Sequence, residues 1–290
     1  MSYITIFLTA FIIQTAYAAP PSATIILQEL RDQYDGESYA TKVLLRLISS
    51  DKLVRERAFY MLQKDISDEE ERAIMYFHYP ADVRGVSFLI ANHKENLQKP
   101  DDQWIYFPAF RKVRRIGSND KRGSFMGSVF NYSDLDKIRV NDYKNTLIGE
   151  DIIADRKTWL IERIPINQDV INKTGYYKVR LWVDQERALI LQQYFYNGKG
   201  IAFKTQKTLT VDNIQNIWTI TKSLMKDIET GNSSEMVFNE TVYNLDVDKK
   251  TLRPQSLKKR INTSEMVFNE PAYNRDIGKN IKTAILTKNN

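Results

Sequence analysis

The chain has no cysteine and only two histidines among its 290 residues. The first absence excludes disulfides, thiolate zinc sites and a lipid-modified amino-terminal cysteine. The second leaves little for metal chemistry, because His78 and His93 are far apart in sequence and form no HxxxH-type array. Calcium-loop spacing is absent as well. After the amino terminus, no apolar run is long enough to cross a bilayer. The β-α-β alternation of a doubly wound fold is missing. Gly123-Ser124-Phe125-Met126-Gly127-Ser128 lacks the lysine and spacing of a phosphate loop. Nucleophile and base cluster nowhere, so the sequence reads as non-enzymatic, with no cofactor and no metal.

What is present begins with an export pattern. Ile4 to Ile13 is almost wholly apolar but too short to span a membrane. Ala16-Tyr17-Ala18 supplies the small-x-small pattern before a cut after Ala18. The preceding Met1-Ser2-Tyr3 carries no lysine or arginine, so a buried first strand or an upstream start remains the rival reading. The expected organisation is a signal peptide over 1–18, one domain over 19–260, and a peripheral tail over 261–290. About 270 residues remain after cleavage, enough for one large all-β core. The net charge of +6, from 42 basic and 36 acidic side chains, is compatible with contact to an anionic membrane surface.

The mature chain reads as strand after amphipathic strand. Ser22 to Tyr34 fits a short helix capped by Ser22, with Gly36 ending it. Alternating segments then run from Tyr39 to Leu47, Arg57 to Lys64 and Arg72 to Tyr79, the last two joined by the acidic turn Ser67–Glu71. Val86 to Ala91, Gln103 to Phe107 and Arg111 to Ile116 follow, with Asn92 to Asp102 read as an exposed loop. Tyr132 to Ile138 reads as one or two helical turns capped by Ser133. Lys157–Ile164, Tyr176–Val183, Ala188–Tyr196, Ile201–Val211 and Trp218–Met225 continue the series. Hairpin-sized links favour antiparallel pairing. The expected fold is mainly β: about a dozen strands in one strongly curved antiparallel sheet, with an N-terminal helix and short helices covering its concave face. The segment Asn232–Lys249 recurs as Asn262–Lys279 at an offset of 30 residues, a late duplication at the tail.

Trp104 to Leu135 is the segment richest in chemistry. Trp104 and Tyr106 share one strand face. Arg111, Lys112, Arg114 and Arg115 crowd five positions, offering contacts to a head group, a carboxylate or an acidic partner patch. A solvated strand with ordinary ion pairs is the bland alternative, and nucleic acid is disfavoured by export and the small net charge. Phe125, Met126 and Phe130 either close over an aliphatic guest or plug a core. The acidic groups Asp68–Glu71 and Asp101-Asp102 read as solvated turns, and Asp134 and Asp136 as braces for Arg114 or Arg115.

These residues resemble a family. Pro80-Ala81-Asp82-Val83-Arg84-Gly85 with Phe88-Leu89 is similar to its PAD-x-RG-x-x-FL segment. Trp104-Ile105-Tyr106-Phe107-Pro108 with Val113-Arg114-Arg115-Ile116 is similar to its WxYxP…RRVRRI segment. Gly123–Ser128, Phe130, Tyr132 and Asp134-Leu135 resemble its GSFMGSDFxYxDL signature. The family is that of outer-membrane lipoprotein-sorting proteins, the LolA-like periplasmic carriers of Gram-negative bacteria, and the likeness runs from about Ile25 to Lys259. The resemblance implies a half-barrel with an apolar cavity for lipid or lipoprotein acyl chains, and traffic beside inner-membrane exporters of the resistance-nodulation-division type. Trp104, Tyr106, Phe125, Met126 and Phe130 are then the expected acyl-chain contacts, and Arg111, Arg114 and Arg115 the head-group or partner contacts. The rival function is an envelope module that binds or regulates an exporter without moving lipid. Two departures stand out: Val129 replaces the family's usual aspartate, and the tail is duplicated. If the export reading is right, the amino-terminal residue of protein recovered from the periplasm is Ala19, and intact mass checks it.

Overall fold

The computed structural model describes residues 20–259; the expected signal peptide 1–18 and the duplicated tail 261–290 lie outside the described residues. The first element is helix α1 (Ala23–Asp32), where the Ser22 side chain accepts the Ile25 amide at 3.3 Å as the sequence pattern predicts. Six strands follow: β1 (Ser38–Ile48), β2 (Val54–Ser67), β3 (Glu70–Tyr79), β4 (Ser87–His93), β5 (Asp102–Phe107) and β6 (Lys112–Arg115). A strandless stretch then leads to β7 (Tyr143–Ile153) and β8 (Arg156–Pro165), and to the short helix α2 (Gln168–Thr174). The remaining strands are β9 (Lys178–Asp184), β10 (Ile190–Tyr196), β11 (Ala202–Ile214), β12 (Ile217–Asp227) and β13 (Ser233–Tyr243).

All thirteen strands form one sheet in the order β6-β5-β4-β3-β2-β1-β13-β12-β11-β10-β9-β8-β7. Every neighbouring pair is antiparallel. The first copy of the repeated segment supplies β13, which joins the two halves by pairing with β1 and β12. The expectation of a strongly curved half-barrel is corrected here: the sheet is large and open, and its end strands β6 and β7 do not pair with each other. The reason lies between them. Residues 116–142 form three short 3-10 turns whose amides bond locally, so no strand bridges the two edges. Strand β7 escapes the sequence reading because none of its residues is fully buried and its apolar residues, such as Leu147 and Ile148, do not alternate, as suits an edge.

Alternation along the strands divides the apolar residues between two faces. One face carries Val43, Leu45, Phe59, Met75, Phe77, Phe88, Ile105, Met225 and Met236, with Phe125, Met126 and Phe130 packed onto them. The same face continues to β8 and β9, where Ile161, Leu181 and Val183 receive Ile26 and Leu27 of α1. The opposite face carries Ala40, Leu62, Ile74 and Leu89, covered by Val247, Leu252 and Leu257 from the segment after β13.

Two loop readings change. Asn92 to Asp102 is exposed only at Lys94 and from Asn96 to Pro100, whereas His93, Glu95, Asp101 and Asp102 are buried. The Asp101 carboxylate accepts the His93 amide at 2.8 Å, so it is structural and not solvated. The turn at Tyr132–Leu135 is capped by Asn131, not Ser133, with the Asp134 carboxylate accepting the Asn131 amide at 2.7 Å.

Phe125 is fully buried, with its ring 5.4 Å from Phe88, 5.7 Å from Tyr132, 6.1 Å from Phe77 and 6.5 Å from Phe59. Phe125→Ala should therefore lower unfolding free energy by about 3–5 kcal/mol, measured by urea denaturation; a change under about 1 kcal/mol would show that the turn is not a core element.

Candidate functional site

The structure separates the expected acyl-chain residues. Phe125, Met126 and Phe130 lie in the core of one face, whereas Trp104 and Tyr106 are half-buried on the other, against the segment after β13. The sheet lies between the two groups. Met126 takes a left-handed backbone (φ 51°) and Gly127 follows at φ 77°, which folds the motif back into the sheet. Val129 is half-buried against this core, and its amide donates to the Ser234 hydroxyl at 3.0 Å. Arg111, Arg114 and Arg115 are exposed beside Phe110, which is 72% exposed. Arg114 pairs with Asp120 at 2.8 Å and Arg115 with Asp102, so neither is braced by Asp134 or Asp136 as the sequence reading proposes.

Asp134 instead anchors the strandless segment to the far half of the sheet, while Asp136 accepts from Gln103 of β5 at 2.7 Å. Tyr176 donates to Asp134 at 2.8 Å, and Lys204 of β11 donates to Tyr176 at 3.0 Å and to Asn131 at 2.9 Å. The Lys204 ammonium is 3.8 Å from Asp134. Burial pushes the Asp134 carboxyl up from its ordinary range, opposed by Lys204, and pulls the Lys204 ammonium down, opposed by Asp134. The Asp136 side chain, 3% exposed, meets Lys121 at 2.8 Å and Lys173 of α2 at 3.2 Å. The signature tyrosine-aspartate stretch is thus a clamp.

Anchored this way, the segment leaves a space beneath α1. A cavity of about 420 Å³ lies between α1, residues 133–143, α2 and strands β8 to β13. Its apolar wall includes Leu30, Val179, Ile190, Phe195, Trp218 and Ile220. Gln193 and Gln206 form a polar spot on the sheet, hydrogen-bonded at 2.7 Å. Charged groups at the cavity include Arg31, Asp35, Lys137, Arg139 and Arg163. The volume falls within the range of about 300–1,000 Å³ usual for small-molecule sites. Alternation in Ala188–Tyr196 and Trp218–Met225 hints at an apolar face, but no local pattern says which apolar face is left uncovered. Among the described residues no group of three or more His, Asp or Glu side chains is placed to hold a metal ion.

Removing one partner of a buried ion pair costs about 3–5 kcal/mol, while replacing both is often neutral. Asp134→Leu and Lys204→Met should each destabilise by about 3 kcal/mol, and the double variant by much less than their sum. Additive losses in denaturant titrations would show that the two groups act independently.

A family model described as "Uncharacterized protein" matches residues 69–259. No curated protein matches the chain. Among solved structures, a domain assigned to outer membrane lipoprotein sorting, from Vibrio parahaemolyticus, is 27% identical, covering 82% of this chain and 98% of that one with a TM-score of 0.73. A DUF1329 family protein from Desulfovibrio piger is 23% identical, covering 81% and 97% with a TM-score of 0.75. A LolA superfamily protein from Nitrosomonas europaea is 21% identical, covering 81% and 98% with a TM-score of 0.60. The chain belongs to the family whose model spans residues 69–259, and its fold is that of the LolA-like sorting-protein superfamily.

Proposed function

We propose that this protein is a periplasmic carrier that holds a lipid, or the acyl chains of a lipoprotein, in the cavity beneath α1 and moves it between envelope membranes. The observation that carries the reading is that cavity, walled by Leu30, Val179, Ile190, Phe195, Trp218 and Ile220. The likeness to a domain assigned to outer membrane lipoprotein sorting and the export pattern support it.

The energetics suit carriage. Each buried methylene gains about 0.8 kcal/mol relative to water, so a chain of a dozen carbons leaves the cavity for water only at a cost on the order of 10 kcal/mol. A bilayer interior is as apolar as the cavity wall, so exchange with a membrane is close to balanced. Release then needs only a modest bias from an acceptor. Phe110, Arg111, Lys112 and Arg114 form an exposed aromatic and basic surface for contact with an anionic membrane or a protein partner. An inner-membrane exporter of the resistance-nodulation-division type is a partner of the kind the family likeness implies.

A second reading, an envelope module that binds an exporter without moving lipid, is favoured by one observation. The motif residues Phe125, Met126 and Phe130 are packed into the core instead of lining the cavity beneath α1. The readings separate at the cavity. A fluorescent fatty acid should bind stoichiometrically, and Ile190→Trp with Ile220→Trp should weaken it more than about tenfold while overpacking costs at most about 1–3 kcal/mol of stability. Lipid-free protein in native mass spectrometry that also refuses the fluorescent probe would favour the module.

A further inference from the structure

Arg163 stands where the β8 alternation calls for an apolar residue, on the same face as Trp159 and Ile161. It is 5% exposed and lines the cavity. Its Nε donates to the Asn145 side chain at 3.0 Å, one Nη donates to the Arg139 carbonyl, and its Cζ lies 3.9 Å over the Tyr143 ring. These partners are neutral. Glu95 and Asp142 attract it only from beyond ion-pair distance, and burial pulls its pKa down to about 10. Arg31 of α1 lines the same cavity and donates to the backbone carbonyls of Ile138 and of His93, the latter at 2.9 Å. Among the described residues neither guanidinium has a carboxylate within 4.0 Å.

The carboxylates of this cavity are all engaged elsewhere. Asp35 pairs with Lys137 at 3.1 Å and Asp142 with Arg139 at 3.3 Å. Asp136 pairs with Lys121 and Lys173, and Asp134 belongs to the Lys204 and Tyr176 clamp. Lys121 and Lys173 share the one Asp136 carboxylate, and Arg31 and Arg163 are left with no carboxylate in ion-pair distance beside an apolar wall. A buried cation without a counter-ion is costly. A guanidinium fork fits the paired oxygens of a carboxylate or phosphate.

We propose that the ligand of this cavity carries an anionic group, a carboxylate or a phosphate, seated at Arg163 and Arg31, with its hydrocarbon chain along Val179, Ile190, Phe195 and Trp218. This rests on the carriage reading and names the head-group class it leaves open. It also explains why a buried position of β8, the strand next to the sheet edge, holds a charged residue with only neutral partners.

The test compares palmitate, hexadecyl phosphate and hexadecanol, which share one chain length, by calorimetric titration of the full mature protein. Both anions should bind at least about tenfold more tightly than the alcohol, the usual scale for a charge-assisted hydrogen bond. Arg31→Gln and Arg163→Gln should each shrink that preference severalfold. Tighter binding of palmitate than of the phosphate points to a fatty acid, and the reverse to a phospholipid. Equal affinity for all three overturns the anion site and leaves carriage standing. Failure of all three to bind overturns carriage itself. The comparison in the unaltered protein stands even if Arg163→Gln does not fold, and the half-buried Arg31 on α1 gives a second variant.

Discussion

The burial of Phe125 among Phe59, Phe77 and Phe88 is the contact on which the remaining architecture depends. An open sheet of thirteen strands has two apolar faces to cover, and only two short helices with which to do it. The strandless stretch after β6 therefore has to act as a layer. Phe125 fixes one end of that stretch to the β1 to β5 half, and Asp134 fixes the next turn to Tyr176 and Lys204 on the other half. Between these anchors and α1 the cover does not reach the sheet, and the cavity lies there. Its position follows from where two rigid attachments stop.

Electrostatics around the strandless stretch separate into two kinds. Lys121 and Lys173, which share Asp136, and Lys204, which faces Asp134, are cations that each lie within ion-pair distance of a carboxylate. They hold the layer in one arrangement, at a desolvation cost that the opposed shifts of Asp134 and Lys204 record. Arg31 and Arg163 differ, since carbonyls, an amide and a ring satisfy their geometry but not their charge. Both reach the cavity, so its wall is not uniformly greasy. A pocket of this kind suits an amphiphile better than a pure hydrocarbon.

The relation to sequence differs from element to element. The α1 cap at Ser22 was legible because one side chain and the next turn of backbone determine it. Strands β2 and β3 with their acidic turn were legible too, since alternation and turn chemistry are local. The burial of Asp101 and Asp102 was not, because it depends on the His93 amide and on Arg115. Likewise Trp104 and Phe125 sit close in sequence and are equally aromatic, yet strand parity and the fold-back at Gly127 send them to opposite faces. Arg163 left a faint trace, as a charged residue in line with Trp159 and Ile161, and it is the buried one of the charged residues of its strand.

By itself the sequence determined an all-antiparallel β chain with one leading helix, because periodicity, caps and turns act over a few residues. Its contiguous motifs also pointed to the sorting-protein superfamily whose fold the chain shares. The tertiary structure alone decided that the sheet stays open, that the glycine-framed motif is core and clamp, and that the cavity lies under α1. Those outcomes depend on side chains brought together from as far apart as Arg31, Asp134 and Lys204, and on which faces remain uncovered once every other surface has been packed.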